Sequence, residues 1–478
     1  MPPSHWEAAH PATLSDQNQK PEIPMSTELI PILALAVMFV AATLLPVNMG
    51  ALGFVAAFLV GTLAVGMSSD DIIGGFPAEL FLTLVGITYL FAIAQNNGTV
   101  DLLVRGAVRL VGGRVALIPW VMFGITGVLT SIGALGPAAV AIIAPIALGF
   151  AARYKINALL MGMMVIHGAQ AGGFSPISIY GVTVNNIASK AGLVSSPLAL
   201  FLGSLFFNAV IGVLLFVFLG GRDLLGRSVH DERHHDDDGS VGGASAAPTR
   251  LRGHGATTTT APTQTVTAEK SPPLATAVRA INFEQILTLI GLGALAILSL
   301  VLDLDVGFIS MTVAVVLALA SPQAQKGAIA QISWSTVLLI GGVLTFVGVL
   351  QEAGTVEYVG DAVASLGLPL LVALLLCYIG AIVSAFASST AILGATIPLA
   401  VPFLLSGNIG AVGVIVALSV SSTIVDVSPF STNGALVLAN AQAVDRDRFY
   451  KQILKYSALV TLVGPLVAWA IFVLPGWL

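Results

Sequence analysis

Charge is scarce in this 478-residue sequence: Asp, Glu, Lys and Arg together make up 9% of it, whereas hydrophobic residues make up 56%. A soluble domain of this length cannot bury so much apolar surface and still cover itself with charge, so a soluble globular fold is excluded. Several apolar runs are long enough to cross the ~30 Å hydrocarbon core of a bilayer. They are Leu29–Leu45, Gly50–Val65, Phe81–Ala94, Leu198–Leu219, Gln285–Leu302, Ile332–Leu350 and Ser457–Val473. Because lipid offers no partner for a free backbone group, these runs must be helices, and the sequence predicts an all-α polytopic membrane protein.

Cysteine and the common catalytic motifs are also lacking. Cys377 is the single cysteine, which excludes a disulfide framework and predicts a packed thiol. No GxxxxGK[ST] loop is present, so ATP-driven transport has no local support. The apolar segments lack HExxH, and neither His167 nor Asp426 lies in a nucleophile pattern, which argues against an intramembrane hydrolase. We therefore expect no enzyme and no organic cofactor.

Two polar segments divide the chain. Residues 1–28 contain five prolines and no apolar core segment, so they are not a secretory signal; Met25 is a candidate start, and a disordered cytoplasmic tail is the alternative. Residues 221–282 have almost no large apolar side chains and are predicted to be a disordered linker. Their His/Asp cluster, "VHDERHHDDDGS", fits a solvated tether better than a metal site. The predicted domains are the tail, a first membrane repeat at 29–220, the linker, and a second repeat at 283–478.

The two repeats share a seven-residue pattern. "SPISIYG" starts at Ser175 and "SPFSTNG" at Ser428, and both read S-P-x-S-x-x-G, 428 − 175 = 253 residues apart. Pro145 and Pro398 have the same separation. Such an internal duplication predicts two structural repeats, often of inverted topology, with a binding site where they meet.

Each copy of the pattern interrupts an apolar helix. Pro176 and Pro429 lack an N–H, and Gly172, Gly173 and Gly434 allow unusual backbone angles, so a discontinuous helix is predicted at each copy. The freed carbonyl groups can bind a cation, and a half-helix N-terminus can bind a carboxylate. The alternative is a proline kink with Ser/Thr capping.

Two further segments are too broken to be simple spans. Gly127–Phe150 and Val383–Leu405 each carry a small polar or glycine-rich tip with proline nearby, which is typical of a re-entrant hairpin beside a polar cavity. A close-packing face between straight helices is the alternative.

Basic residues are absent around both patterns. No Lys or Arg lies in Ile156–Ser189 or Gly367–Val444, so an anionic substrate would be held by helix dipoles, hydroxyls and amides. Candidate substrate-binding residues are Ser131, Ser175, Ser178, Ser388, Ser389, Thr390, Ser428, Ser431, Thr432 and Asn433.

Asp426 is the only charged residue in Gly367–Val444, which predicts a cation-binding or proton-carrying group; a structural aspartate is the alternative. His167 has a comparable place in the first half, where a packed histidine is the alternative. The predicted cation-coupling residues are Asp426, Ser428, Gly172, Gly173 and His167, with Na⁺ as the candidate ion.

The linker and the N-terminus are expected in the cytoplasm, which leaves Arg105, Arg109 and Arg114 outside, on an amphipathic segment.

The stretches "PVNMGALGF", "MVIHGAQAGGFSPISIYG", "VSAFASSTA" and "STIVDVSPFSTNGAL" resemble the MatC malonate (dicarboxylate) carriers of the ion transporter superfamily that includes sodium/dicarboxylate symporters. The resemblance implies eleven spans, paired re-entrant hairpins, a cytoplasmic N-terminus, a homodimer and elevator-type alternating access. The expected location is the inner (plasma) membrane of the cell. Superfamily members carry Ser-Asn-Thr at each hairpin tip. Here Ser388–Thr390 read Ser-Ser-Thr, and the first tip reads "GALGP".

The expected function is secondary active import of a small dicarboxylate, malonate first, coupled to Na⁺ or H⁺. An exchanger or exporter of another small anion is the alternative. A channel fits less well, because duplicated broken helices suit an enclosed site near the membrane midplane.

Overall fold

Helices account for most of the residues that the computed structural model describes, which are 25–45, 47–109, 114–227, 281–302, 304–355, 358, 368–385, 389–405, 409–441 and 444–476. The described part of the first half contains ten α-helices: α1 (Met25–Leu44), α2 (Met49–Val60), α3 (Ser69–Gly74), α4 (Ala78–Asn96), α5 (Thr99–Arg109), α6 (Ile118–Ser131), α7 (Gly136–Arg153), α8 (Ala158–Gly172), α9 (Ile179–Lys190) and α10 (Pro197–Phe218). A π-helical turn, Gly61–Val65, extends α2.

The described part of the second half contains α11 (Phe283–Leu300), α12 (Val306–Ala320), α13 (Pro322–Gln325), α14 (Trp334–Glu352), α15 (Pro369–Ser384), α16 (Ser389–Leu405), α17 (Ala411–Ile424), α18 (Thr432–Asn440) and α19 (Arg446–Phe472). Polar residues cap several of these helices. The Asn157 side chain, for example, accepts from the N–H groups of Leu159 and Leu160 at the start of α8.

Six described helical segments are long and apolar enough to cross a membrane: Ala78–Asn96, Gly136–Arg153, Pro197–Phe218, Trp334–Glu352, Ala411–Asn440 and Arg446–Phe472. The fifth segment comprises α17, α18 and the residues between them. Seven shorter apolar helices accompany them. The predicted all-α polytopic membrane fold is confirmed. The number of crossings and the inverted topology stay predictions.

The repeat in the sequence is also a repeat in the structure. Corresponding helices begin 253 residues apart: α7 and α16 (389 − 136 = 253), α8 and α17 (411 − 158 = 253), and α9 and α18 (432 − 179 = 253). Each half therefore contains the same series of helices around its S-P-x-S-x-x-G pattern.

In the first predicted hairpin, residues 132–135 join α6 to α7. In the second, α15 ends at Ser384 and α16 begins at Ser389, and residues 386–388 between them lie outside the described residues. The predicted bounds, Gly127–Phe150 and Val383–Leu405, contain most of α7 and all of α16 but miss most of α6 and α15. These two helices are largely apolar, so little in their sequence distinguishes them from ordinary spans.

The linker bounds need a correction as well. Gly221–Leu224 form a 3₁₀ turn, and Arg227 donates from Nη2 to the Tyr154 carbonyl oxygen. Asn282 caps α11. The predicted disorder over 221–282 is therefore wrong at both edges, because these residues complete helix ends. Residues 228–280, including the His/Asp cluster, lie outside the described residues, as do residues 1–24 of the predicted tail.

Buried apolar side chains form two clusters. The central cluster comes mainly from α6–α10 and α15–α19, and the outer cluster mainly from α1, α2, α4, α11, α12 and α14. In the outer cluster the halves pack crosswise: α2 lies against α14, and α12 lies against α4. Glycines permit this contact, because a Cβ on Gly50 would collide with the Leu338 carbonyl and a Cβ on Gly342 with the Gly50 carbonyl.

Candidate functional site

Both S-P-x-S-x-x-G stretches lie where one helix stops and another begins. α8 ends at Gly172 and α9 begins at Ile179; α17 ends at Ile424 and α18 begins at Thr432. We call residues 173–178 the first break and residues 425–431 the second break. Discontinuous helices are confirmed, and the alternative of a kink within a continuous helix is wrong.

The second serine of the first motif builds the turn. Ser178 Oγ lies 2.6 Å from the Gly173 carbonyl oxygen and 2.7 Å from that of Ser175, and shares its proton between them. It also accepts from the Gly181 N–H at 3.3 Å, which caps α9. Ser178 is thus the residue that closes the break and starts the next helix.

The second motif repeats these bonds. Ser431 Oγ lies 2.5 Å from the Asp426 carbonyl oxygen and 2.8 Å from that of Ser428, and it accepts from the Gly434 N–H at 3.2 Å. It caps α18 as Ser178 caps α9. The two breaks therefore have the same local structure.

The last glycine of each motif is required by close packing. A Cβ on Gly181 would collide with the Ser175 carbonyl oxygen, and a Cβ on Gly434 with that of Ser428. The S-P-x-S-x-x-G pattern thus encodes one particular turn. It occurs twice in the sequence because each break contains this turn.

The first serine of each motif has a free proton. Ser175 Oγ accepts from the Ile177 N–H at 3.4 Å, and Ser428 Oγ accepts from the Phe430 N–H at 3.2 Å. Within the described part of the chain, neither hydroxyl donates a hydrogen bond. Ser175 and Ser428 are buried, so they are better placed than Ser178 and Ser431 to donate to a bound anion.

The second half of each broken helix packs against a hairpin helix of the other repeat. α18 lies against α7, and α9 lies against α16. At the α7–α18 contact the first turns meet, because a Cβ on Gly136 would lie 3.7 Å from Asn433 Nδ2. Two helix N-termini with their positive dipole ends therefore lie side by side.

Hydrogen-bond donors remain free at this junction. Among the described residues, the N–H groups of Thr432 and Asn433 have no acceptor. Asn433 is buried, and its side-chain amide makes no hydrogen bond among the described residues, so its Nδ2 group can donate to a ligand. Free backbone N–H groups, the Asn433 Nδ2 donor and two dipole ends together form a candidate carboxylate-binding site without a basic side chain.

Asp426 lies buried in the second break, close to the second hairpin. Ser389 Oγ donates to Asp426 Oδ1 at 2.5 Å, and Ser384 Oγ lies 2.9 Å from Ser389 Oγ. Because the Ser389 proton goes to the ionised carboxylate, Ser384 is the donor to Ser389. Among the described residues no Lys or Arg pairs with Asp426. A buried carboxylate without a cationic partner favours a bound cation or a proton.

Ser131 and Gly172 lie together at the first hairpin. Ser131 Oγ donates to the Gly127 carbonyl oxygen at 2.7 Å and lies 3.4 Å from the Gly172 carbonyl oxygen. A Cβ on Gly172 would collide with the Gly127 carbonyl and with Thr130 Oγ1. Gly172 therefore allows the hairpin to contact the end of α8.

His167 lies away from both breaks, in a buried polar network. Its Nδ1 is 2.8 Å from Asn208 Oδ1, and its Nε2 is 2.7 Å from the Tyr456 hydroxyl. The network continues from Asn208 to Ser204, which donates to the Gln170 carbonyl oxygen at 3.0 Å. This geometry favours the packed-histidine alternative; a coupling role for His167 stays a prediction.

The remaining predicted residues are placed as follows. Gly173 caps the end of α8, and Thr432 is exposed in the first turn of α18. Ser388 lies outside the described residues, and the side chain of Thr390 is not among those described. Sequence reasoning missed Ser384, although the repeat could have revealed it, since Ser131 and Ser384 are 384 − 131 = 253 residues apart.

A cleft of about 430 Å³ adjoins the second break, with Ser428 and Phe430 on one side and Ser457 and Thr461 of α19 on the other. Its walls are mostly apolar. Phe430 is well exposed there, although it belongs to a break in an otherwise buried helix.

Comparisons with known proteins agree with this geometry. Residues 25–173 match the family model described as the dicarboxylate carrier protein MatC N-terminus. The solved structure of the YdaH transporter of Alcanivorax borkumensis superposes with a TM-score of 0.56 at 14% identity, covering 93% of this chain and 98% of that chain. No curated protein matches by sequence. The chain thus matches the MatC dicarboxylate carrier family model over residues 25–173, and its fold is similar to that of the YdaH protein.

Proposed function

We propose that the protein is a secondary active transporter that imports a small dicarboxylate, malonate first among them, together with Na⁺ or a proton. The observation that carries the proposal is the pair of equivalent breaks, each closed by the same serine turn and each followed by a helix that lies against the other repeat's hairpin. The family match supports a dicarboxylate carrier, and the structural match supports a transporter rather than an enzyme.

The proposed substrate site lies between the breaks and the hairpins. One carboxylate binds at the α7–α18 junction, to the N–H groups of Thr432 and Asn433 and the Asn433 amide. The hydroxyls of Ser175 and Ser428 donate to the substrate from the two breaks. Ser389 and Asp426 hold the coupling cation next to it. An uncharged set of donors allows release, because no salt bridge to Lys or Arg must be broken.

The two apolar clusters support alternating access by movement of one against the other. The central cluster holds both breaks and both hairpins, and the outer cluster includes the crosswise pairs that join the halves. In this mechanism the outer cluster stays fixed in a dimer in the inner membrane, and the central cluster carries the substrate across. Dimerisation, location and movement are parts of the proposal.

The test is uptake of labelled malonate into proteoliposomes, with Na⁺ and proton gradients imposed separately. We expect saturable uptake that one of the two gradients drives above equilibrium. Asp426→Asn should abolish accumulation while malonate exchange persists. Unsaturable uptake that ignores both gradients would identify a channel, and exchange without accumulation in the unaltered protein would identify the exchanger alternative.

A further inference from the structure

The repeat allows the two breaks to be compared position by position. The backbone is the same in both: the Gly173 carbonyl accepts from Ser178 Oγ, and the corresponding Asp426 carbonyl accepts from Ser431 Oγ. The carbonyl oxygens that these two serines bind are therefore occupied in the same way in both breaks. The described difference between the two breaks lies in their side chains.

The side chains differ at the positions that surround each break. Asp426, Ser389 and Ser384 of the second half correspond to Gly173, Gly136 and Ser131 of the first half, at the constant separation of 253 residues (426 − 173 = 253). Two of the three oxygen-bearing side chains are thus missing from the first half.

The serine that remains in the first half has a different role. Ser131 Oγ donates to the Gly127 carbonyl, whereas Ser384 Oγ bonds to Ser389 Oγ and through it to the Asp426 carboxylate. Among the described residues, a chain of oxygen ligands that ends in a carboxylate is therefore found at the second break and not at the first. Hard monovalent cations need several oxygen ligands to replace their water, and a proton needs a basic group.

No neighbouring charge alters this comparison. The elements packed against the turn that holds Asp426 are α8, α15, α17, α18 and α19, and Ser389 of α16 bonds to Asp426 itself. The titratable groups of these elements are His167, Cys377, Tyr378, Tyr450, Tyr456 and the charged residues of α19, namely Arg446, Asp447, Arg448, Lys451 and Lys455. None of them forms an ion pair with Asp426 among the described residues. His167 and Tyr456 bond to each other.

We infer that the transporter has a single coupling site for a monovalent cation, formed by Asp426, Ser389 and Ser384 in the second half, and that one cation accompanies each substrate. This inference rests on the proposed function and specifies its stoichiometry. The first half, with Gly173 and Gly136 at the same positions, contributes donors for the anion only.

The stoichiometry is measurable from accumulation at equilibrium. With the membrane potential held at zero by valinomycin and equal K⁺, the substrate ratio is the cation ratio raised to the number of coupled cations. A tenfold cation gradient should therefore concentrate malonate about tenfold for one cation and about a hundredfold for two. Separate Na⁺ and pH gradients identify which monovalent cation is coupled.

Accumulation of about tenfold in one arm and none in the other supports the inference. About a hundredfold in either arm, or about tenfold in both, overturns it while leaving the transporter proposal intact. Exchange without accumulation in either arm also overturns it. Absence of any saturable uptake would overturn the proposed function itself.

Substitutions test whether the cation binds at Asp426, Ser389 and Ser384. Ser389→Ala should raise the cation concentration needed for half-maximal uptake about tenfold, because it removes a ligand and leaves the Asp426 carboxylate short of one hydrogen bond. Ser419→Ala is the matched control, since Ser419 is a buried serine on α17 whose hydroxyl has no partner among the described residues. Size-exclusion chromatography of both variants checks that they fold. Equal effects of Ser389→Ala and Ser419→Ala would overturn the assignment.

Discussion

The hydroxyl of Tyr456 donates to Nε2 of His167 at 2.7 Å and so joins the last helix of the second half to α8 of the first. The direction of the bond follows from Asn208. Its Nδ2 donates to the Ser204 carbonyl oxygen, so its Oδ1 must accept from His167 Nδ1–H. The imidazole is fully buried and has no acidic partner among the described residues, so it is neutral, and Nε2 accepts from Tyr456.

Removing this contact should lower stability rather than change coupling. Tyr456→Phe leaves a buried imidazole nitrogen without a donor, at a cost of about 1–3 kcal/mol. We expect a lower melting temperature in detergent and an unchanged half-saturating malonate concentration.

Tyr378→Phe is the control for this change. Tyr378 also donates to a neighbouring helix, at the Leu462 carbonyl, but in a partly exposed position, so its loss should cost less. A loss of cation-driven accumulation in Tyr456→Phe, with normal stability, would contradict a purely structural network.

The terminal glycines of the two motifs should not tolerate a methyl group. Gly181→Ala and Gly434→Ala each push a Cβ into a serine carbonyl oxygen, so the turn must open. We expect uptake to fall at least about tenfold, with reduced yield of folded protein, in line with a disrupted backbone site.

Gly149→Ala in α7 is the matched control, because a Cβ there meets no atom within 4 Å and alanine favours helix. It should be neutral or slightly stabilising. Normal uptake by Gly434→Ala would show that the turn at the second break differs from the one described.

The two asparagines of α18 allow a clean comparison. Asn433, in the first turn, presents an unpaired buried amide beside Gly136, whereas Asn440, at the end, donates from Nδ2 to the Leu436 carbonyl at 2.8 Å. Asn433→Ala should raise the half-saturating malonate concentration about tenfold, the value of one good hydrogen bond to a charged group. Asn440→Ala should leave it unchanged. Equal effects of the two changes on initial rates would remove the α7–α18 junction from the substrate site.

The serines within each motif should separate binding from folding. Ser178→Ala and Ser431→Ala remove a helix cap and should lower the free energy of unfolding by about 0.5–2 kcal/mol. Ser175→Ala and Ser428→Ala remove a free donor, so they should weaken malonate binding with little loss of stability. Thermal unfolding and uptake kinetics on the same four variants check both statements; a reversed pattern would contradict the assignment of donors.

The breaks could be predicted from sequence because proline, serine and glycine are unusual in apolar helices and recur at one spacing. The separate roles of the serines in each motif could not be predicted from the sequence. Ser175 and Ser178 are three residues apart and chemically identical, and only the turn shows that one donates to the backbone while the other keeps its proton free. The Asp426–Ser389 contact could not be predicted from the sequence either, because it joins residues on separate elements that only tertiary packing brings together.

Crosswise packing of the outer cluster has a consequence for the origin of the chain. Among the described residues, α2 packs most extensively against α14, and α4 against α12, so each half is covered mainly by a helix of the other half. An ancestor of half the present length would have exposed these glycine-lined helix faces to lipid. It would have gained a closed structure only by associating with a second copy, so self-association would have come before gene fusion.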